Sequence, residues 1–315
     1  MLTQIFILLC SLFLVVFCAN YLVEGSSVIA RRLGVSEFFI GLLIVGFGTS
    51  LPELVVSLVG AVQHNSDIAI GNLIGSNVFN TSLILGLSAL AMPIAVSESN
   101  RRRAIPFLMM ATVMFIALGI NSGGIGRIDG GVLLLLFALY LLYLFRTDGQ
   151  NPEIAEPEAK SGLMFDTYIG CIGIVIGSLI GLIVGGNMFV NSAKAIGVMI
   201  GISDKIVGIT ILAFGTSLPE LATCITAIFK KRSQMALGNI VGSNIFNILM
   251  IAGTASLIQP LGFANINIID LIAVALSTFM LYVSQYTKHR GKFTRLDGGI
   301  MIAIFVAYMI LLFKL

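Results

Sequence analysis

The sequence predicts an all-α membrane protein with ten transmembrane helices arranged as two inverted five-helix repeats. Three observations support this fold: the composition is strongly apolar, about ten stretches are long enough to cross a bilayer, and the main sequence motifs occur twice. Of the 315 residues, 57% are apolar and 10% are charged, and the mean hydropathy is +1.04. Soluble globular domains are much less apolar.

Each predicted span is a run of roughly 20 mostly apolar residues, the length needed to cross the hydrocarbon core. The first run lacks the basic leader and the small-residue cleavage site of a signal peptide, so we treat it as a span. The ten runs begin near residues 3, 38, 68, 104, 129, 167, 205, 235, 266 and 297.

Basic residues orient the predicted spans, because lysine and arginine concentrate in short cytoplasmic loops. Most of them follow spans one, three, five, seven and nine, as in Arg101 to Arg103 and Lys230 to Arg232. The sequence therefore predicts a multi-pass protein of the cell membrane, the plasma or inner membrane, with both termini outside. Its expected surroundings are the lipid bilayer, with no nucleic acid and no obligate protein partner.

One polar stretch, "RTDGQNPEIAEPEAKSG" (146–162), resembles a linker because it is rich in proline and acidic residues. It divides the chain into a first transmembrane repeat at 1–146, a cytoplasmic linker at 147–163 and a second repeat at 164–315. The first repeat would hold helices one to five and the second helices six to ten.

The two predicted repeats carry the same motifs in the same order. "AIGNLIGSNVFN" (69–80) matches "ALGNIVGSNIFN" (236–247), and "GTSLPEL" occurs at 48–54 and at 215–221. Because each repeat has an odd number of spans, the second must enter the membrane from the opposite side. Inverted repeats with interrupted helices are typical of secondary transporters, whose substrates bind where the repeats meet.

Each "GTSLPEL" motif places a proline and a glutamate within an apolar stretch. Proline removes a helical hydrogen bond, so Pro52 should free the carbonyl of Gly48 and Pro219 that of Gly215. Unwound backbone at membrane depth is tolerated only beside a cavity or inside protein. A charge at the bilayer centre costs about 2.5–3.5 kcal/mol, so Glu53 and Glu220 must be protonated or neutralised by an ion from solution.

The residues near both glutamates predict which ion this is. Hydroxyl groups precede each glutamate by one helical turn, and amide and hydroxyl side chains recur every four residues on the next span. Carboxylate, hydroxyl, amide and carbonyl oxygens suit hard cations, and Ca²⁺, with its roughly 6–8 oxygen ligands, fits well.

At these motifs the sequence resembles the sodium/calcium exchanger, or cation/calcium antiporter, superfamily of prokaryotic type. The resemblance extends over essentially the whole chain. It implies an antiporter that exchanges Na⁺ for Ca²⁺ by alternating access and normally exports Ca²⁺, with spans one and six sliding across a core of spans two, three, seven and eight. It also implies cation ligands from the side chains of Thr49, Ser50, Glu53, Ser76, Asn80, Thr216, Ser217, Glu220, Ser243 and Asn247, and from backbone oxygens near Gly46 and Ala213.

The chain departs from the family pattern at one pair of positions. Some relatives have an aspartate where this chain has Asn80 or Asn247, so only two carboxylates remain. The resemblance favours three Na⁺ per Ca²⁺, whereas two negative charges alone favour electroneutral exchange, and the sequence leaves both open.

Three other functions are alternatives to the exchange of Na⁺ for Ca²⁺. A proton/calcium antiporter would use the same two glutamates, but that branch usually resembles "GNxxE" in place of "GTSLPE". A channel usually has a continuous pore across several subunits. An intramembrane hydrolase would need a base near Ser50 or Ser217, and both histidines, His64 and His289, lie at span ends. We therefore expect a transporter and not an enzyme. Its substrates would be the transported ions Ca²⁺ and Na⁺, and it would need no cofactor.

Overall fold

The computed structural model describes residues 1–148, 167–199, 215–264, 266–286 and 291–314, which are almost entirely helical. The helices are α1 (Leu2–Leu33), α2 (Glu37–Thr49), α3 (Leu51–Val62), α4 (Ser66–Ala91), α5 (Asn100–Ser122), α6 (Arg127–Asp148), α7 (Tyr168–Met199), α8 (Leu218–Phe229), α9 (Ser233–Ile258), α10 (Ile268–Ser284) and α11 (Arg295–Lys314).

Seven of these helices are long and apolar enough to cross a membrane, and α2 with α3 forms an eighth candidate span that is bent by 46°. The helices α8 and α10 are apolar but shorter. The described part of the chain is therefore a multi-span helical membrane protein. The predicted total of ten spans stays a prediction, because the residues that would complete the seventh span, 205–214, lie outside the described ranges.

The helices differ greatly in how deeply they are buried. Within an apolar 18-residue stretch of each helix, 78% of the residues are buried in α4 and 83% in α9, compared with 22% in α1 and 11% in α11. The two longest helices, α1 and α7, pack along each other. The deeply buried α4 and α9 therefore form the centre of the fold, and the apolar outer faces of α1 and α11 are suited to contact lipid.

Two short strand pairs connect turns from opposite halves of the chain. The strand β1 (Ile94–Ala95) pairs antiparallel with β4 (Lys292–Phe293), and β2 (Gly124–Ile125) pairs antiparallel with β3 (Leu261–Gly262). Ile94 lies opposite Phe293, and Ile125 lies opposite Leu261. Because each pair joins one turn of the first half to one of the second, the halves are connected at two places besides the helix contacts.

The break between α2 and α3 falls at Ser50, two residues before Pro52. Proline has no backbone N–H and is best tolerated in the first turn of a helix, where that donor has no helical partner. Pro52 is the second residue of α3, and Pro219 is the second residue of α8 after Ser217. The predicted helix interruption at Pro52 is confirmed. Residues 200–214, which directly precede Gly215, lie outside the described residues.

Glycine allows α2 to approach α9 very closely. A Cβ atom at Gly46 would lie 2.8 Å from the backbone oxygen of Asn239, and one at Gly242 would lie 2.6 Å from that of Leu42. Both distances are too short for a real carbon contact, so larger residues at these positions would separate the helices. This contact places the first "GTSLPEL" motif against the second "GSN" motif.

Candidate functional site

The two glutamates occupy equivalent places at the starts of α3 and α8. Glu53 and Glu220 each lie in the first turn of their helix, and both are fully buried. The N-terminal end of a helix carries a partial positive charge that stabilises a nearby carboxylate. The broken helices therefore provide backbone dipoles that partly offset the cost of burying these two acids.

Each glutamate is hydrogen-bonded to a serine from the opposite half of the chain. Ser217 Oγ donates to Glu53 Oε1 at 3.2 Å, and Ser50 Oγ donates to Glu220 Oε1 at 3.0 Å. Both serines are fully buried and lie at the breaks that precede α8 and α3. The crossed contacts bring the two "GTSLPEL" motifs together in a single site.

The second oxygen of each carboxyl group is buried without a partner among the described residues. Glu53 Oε2 and Glu220 Oε2 make no hydrogen bond, and neither glutamate takes part in any ion pair that the described residues form. The carboxyls are also close enough to repel each other when both are charged. Buried unpaired charge is very costly, so the site is suited to a bound cation or to protons.

A second group of oxygens lies around the break after α2. Thr49 Oγ1 lies 3.4 Å from the carbonyl oxygen of Gly46 and 3.3 Å from Asn239 Oδ1. Ser243 Oγ donates to the same Gly46 carbonyl at 3.2 Å. The structure therefore brings Gly46, Thr49 and Ser243 together, and Thr49 and Ser243 also lie near the Glu220 carboxyl.

The corresponding groups of the other half are arranged differently. Thr216 lies near the Glu53 carboxyl, but its buried hydroxyl forms no hydrogen bond of good geometry with a described residue. Ser76 is buried one turn before Asn80, and no described contact joins it to either glutamate. Ala213, the counterpart of Gly46, lies outside the described residues.

A cavity of ≈220 Å³ reaches the site beside Thr216. It lies between α3, α7 and the residues that precede α8, and its polar side chains are those of Thr216 and Asn187. The sequence predicted a cavity beside unwound backbone near the prolines; this cavity borders Pro52 and Gly215, but the residues at the helix breaks, Ser50 and Ser217, do not line it. Its lining is Leu51, Pro52, Val55, Val56, Ile183, Asn187, Val190, Gly215 and Thr216.

Asn80 and Asn247 lie in π-helical turns, at Phe79–Ile84 of α4 and Phe246–Ile251 of α9. A π-helical turn inserts an extra residue into an α-helix and is frequent at functional sites. Asn80 Nδ2 donates to Asn244 Oδ1 at 3.2 Å, whereas both polar atoms of the Asn247 side chain are buried without a described partner.

Several residues that contact the predicted ligands were not themselves predicted as ligands, although two of them, Asn72 and Asn239, belong to the polar stripe that recurs every four residues. Asn72 and Asn239 donate to the backbone oxygens of Glu53 and Glu220, at 3.1 Å and 3.4 Å. Asn244 connects Asn80 to the hydroxyl of Thr81. The available signal was the repeated asparagine pair in "GNxxGSN", because an amide buried at membrane depth needs partners.

The donor set of the site consists of oxygen atoms only. It includes two carboxyls, several hydroxyls, amide oxygens and at least one backbone carbonyl. Within the described ranges, no group of three or more His, Cys, Asp or Glu lies together. Such oxygen ligands bind hard cations, such as Ca²⁺ and Mg²⁺, better than softer transition metals.

Comparison with known proteins identifies relatives along nearly the full length of the chain. A family model described as "Sodium/calcium exchanger protein" matches residues 3–146 and 171–314. The chain is 34% identical over 321 residues to a putative antiporter, CaxA, of Alkalimonas amylolytica, covering 100% of both chains. It is 36% identical over 298 residues to an uncharacterized membrane protein of Methanocaldococcus jannaschii, covering 95% of this chain and 94% of that one.

The fold is also similar to a solved structure of the sodium-calcium exchanger NCX_Mj soaked with Na⁺ and Ca²⁺. The two chains superpose with a TM-score of 0.84 at 34% sequence identity, over 99% of this chain and 98% of that one.

Proposed function

Because this chain belongs to the sodium/calcium exchanger protein family, we propose that it exchanges Na⁺ for Ca²⁺ across the cell membrane and normally exports Ca²⁺. The observation that carries this proposal is the pair of fully buried glutamates, each bonded to a serine of the other half and each retaining an unpaired oxygen. Two carboxylates without a fixed cation among the described residues require exchangeable positive charge.

We further propose ten transmembrane helices arranged as two inverted five-helix repeats, with both termini outside. In this topology β1 and β4 lie in cytoplasmic turns, and β2 and β3 lie in outer turns. The observed pairing of β1 with β4 and of β2 with β3 supports this arrangement, since paired strands must lie on the same side.

The proposed cation ligands are the residues that the family resemblance implies. Geometry supports Glu53, Glu220, Ser50 and Ser217 most directly, through the crossed hydrogen bonds. Burial supports the remaining described side chains, which are Thr49, Ser76, Asn80, Thr216, Ser243 and Asn247. Gly46 and Ala213 would add backbone oxygens.

Exchange would follow from competition for the same two carboxylates. Ca²⁺ and Na⁺ both need these negative charges, so binding of one ion displaces the other. A transporter built from inverted repeats reaches two access states that exchange the roles of its halves. In the proposed topology, the cavity beside Thr216 lies in the outer half of the membrane, which favours access from outside.

Calcium uptake by Na⁺-loaded vesicles tests this function. Vesicles that contain the protein should accumulate ⁴⁵Ca²⁺ when diluted into Na⁺-free medium, and Glu53→Gln or Glu220→Gln should reduce uptake to the level of protein-free vesicles. Glutamine has nearly the same shape as glutamate but carries no charge. The matched control is Glu98→Gln, because Glu98 is exposed in the turn between α4 and α5, and this variant should transport normally.

The outcome that would contradict the proposal is normal uptake by both site variants, or wild-type uptake that does not depend on Na⁺. Calcium uptake driven by a pH step without Na⁺ would instead favour the alternative, a proton/calcium antiporter that uses the same two glutamates.

A further inference from the structure

Two asparagines fix the helices that carry the glutamates. Asn72 Nδ2 donates to the Glu53 backbone oxygen at 3.1 Å and to Ser57 Oγ at 3.0 Å. In the other half, Asn239 Nδ2 donates to the Glu220 backbone oxygen at 3.4 Å and to Thr223 Oγ1 at 2.9 Å. Each amide therefore holds the first turn of a glutamate helix against the next helix.

The amide oxygens of the same two side chains differ in what they bind. Asn239 Oδ1 lies 3.3 Å from Thr49 Oγ1, across the boundary between the halves. Asn72 and Thr216 are the corresponding pair, but the Thr216 hydroxyl has no hydrogen-bond partner within the described ranges. The two halves thus have equivalent residues, but only the contact between Asn239 and Thr49 is formed, and the corresponding contact between Asn72 and Thr216 is not.

This difference affects how a threonine can bind a cation. A hydroxyl has one proton and two lone pairs. Near Thr49, the oxygens of Asn239 and Gly46 both attract that proton, which leaves the lone pairs available for a cation. Near Thr216, neither Asn72 nor any other described residue accepts a hydrogen bond of good geometry from the hydroxyl, which lies near the Glu53 carboxyl and borders the cavity.

We propose that Asn72 and Asn239 are reciprocal positioning residues, each of which orients the ligand threonine of the opposite half in only one access state. Asn239 orients Thr49 while the cavity beside Thr216 is open, and Asn72 orients Thr216 after access has moved to the other side. This inference rests on the proposed exchange, because states that swap the roles of the halves also swap their contacts.

Side-specific double-mutant cycles test the proposal. One cycle combines Thr49→Val with Asn239→Ala, and the matched control combines Thr216→Val with Asn72→Ala. Each variant is assayed for the Ca²⁺ concentration that gives half-maximal exchange, in right-side-out vesicles for the outer face and in everted vesicles for the cytoplasmic face. Subtraction within each cycle removes the effect of losing the bond to the glutamate backbone, which both asparagines share.

The expected result is a reversal between the two faces. At the outer face, the Thr49 and Asn239 substitutions should be coupled by about threefold or more, and the control pair should combine independently within about twofold. At the cytoplasmic face, the Thr216 and Asn72 substitutions should be the coupled pair. Equal coupling of both pairs at both faces, or independent effects of Thr49 and Asn239 at the outer face, would overturn the proposal.

A conservative variant separates positioning from a purely structural role. Asn239→Asp keeps an acceptor oxygen for Thr49, so Thr49→Val should weaken outer Ca²⁺ activation in this background about as much as in the wild type. In the Asn239→Ala background, where Thr49 has already lost its orienting acceptor, the same substitution should have a smaller effect. If the alanine variants do not yield folded protein, Asn239→Ser and Asn72→Ser replace them, since serine is too short to reach the threonine. Absence of Na⁺-dependent flux in the wild type would refute the proposed function itself, whereas normal flux with independent substitutions refutes only this inference.

Discussion

The cross-half serine hydrogen bonds of Glu53 and Glu220 are duplicated between the two halves of the chain, whereas the amide contacts of Asn80 and Asn247 are not. Each glutamate accepts a hydrogen bond from a serine of the other half. Asn80 donates to Asn244, but the equivalent Asn247 has no partner in the described part of the chain. The two glutamate–serine bonds are therefore symmetric, and the contacts of the two asparagines are not.

One substitution between the repeats explains this asymmetry. Asn244 Nδ2 donates to Thr81 Oγ1 at 2.5 Å, but Ile248 occupies the position that corresponds to Thr81 and offers no oxygen. Asn77, the counterpart of Asn244, donates instead to the Leu73 carbonyl at 2.8 Å and leaves its own oxygen unpaired. We expect the two access states to differ in free energy, because exchanging the roles of the halves does not exchange identical contacts.

The turns that follow the two glutamate helices also differ. After α8, Arg232 pairs with Glu37 at 2.6 Å, and Lys230 pairs with Glu24. After α3, the equivalent positions are Gln63 and Asn65, and Asn65 caps α4 by accepting from the Ile68 N–H at 3.3 Å. The turn that we place in the cytoplasm is thus held by charge, and the outer turn by a neutral cap.

The largest predicted effect on stability tests that difference in charge. Arg232→Met should lower the free energy of unfolding by about 3–5 kcal/mol, since it leaves Glu37 as an unpaired, nearly buried charge. The side chains of Arg232 and Glu37 are only 13% and 10% exposed. The control Arg102→Met breaks a pair with Glu98 whose side chains are 69% and 65% exposed, and it should change stability little.

Thermal unfolding in detergent measures these effects. The chain has no tryptophan, but Cys18, Cys171 and Cys224 are buried, so a thiol-reactive dye reports unfolding once the exposed Cys10 is replaced by serine. Melting temperatures that fall equally for Arg232→Met and Arg102→Met would show that the nearly buried pair of Arg232 with Glu37 stabilises the protein no more than an exposed ion pair does.

The next largest effect distinguishes the two asparagines at the π-helical turns. Asn80→Leu should destabilise the ion-free protein by about 1–3 kcal/mol, because it leaves the Asn244 oxygen buried and unpaired. Asn247→Leu removes two atoms that have no described partner, so it should be neutral or stabilising. Both variants should impair exchange, since both asparagines are proposed ligands. Equal losses of melting temperature would contradict the asymmetry.

The smallest effect comes from exchanging the residues that cause the asymmetry. Thr81→Ile should cost about 0.5–1.5 kcal/mol, because Asn244 loses a hydrogen bond. Ile248→Thr offers Asn77 a new acceptor and should make the halves more alike, so it should bring the half-maximal Ca²⁺ concentrations at the two membrane faces closer together. A shift in the opposite direction would show that this position does not control the difference between the access states.

Much of the site was predictable from particular residues. Apolar composition identified a membrane protein, and two copies of "GTSLPEL" identified Glu53 and Glu220 as buried acids beside broken helices. The break at Pro52 was predictable because proline excludes a helical hydrogen bond wherever it occurs. The contacts of Thr216 were not predictable, because its motif matches that of Thr49 and only the surrounding packing distinguishes the two. The sequence shows that Ile248 replaces Thr81 after Asn247, but only the structure shows that Thr81 binds Asn244 and thereby affects the asparagine contacts.

The sequence by itself determined the class of protein, the duplication and the two acidic residues, because hydropathy, helix interruption and the energetic cost of a buried charge depend on local chemistry. Only the tertiary structure decided that Glu53 meets Ser217 and that Glu220 meets Ser50, since these partners are far apart in the chain and are joined only when the halves pack together. Packing likewise decided that Thr49 has an amide acceptor and that Thr216 has none among the described residues, because hydrogen bonding depends on distances of tenths of an ångström that motif spacing does not specify.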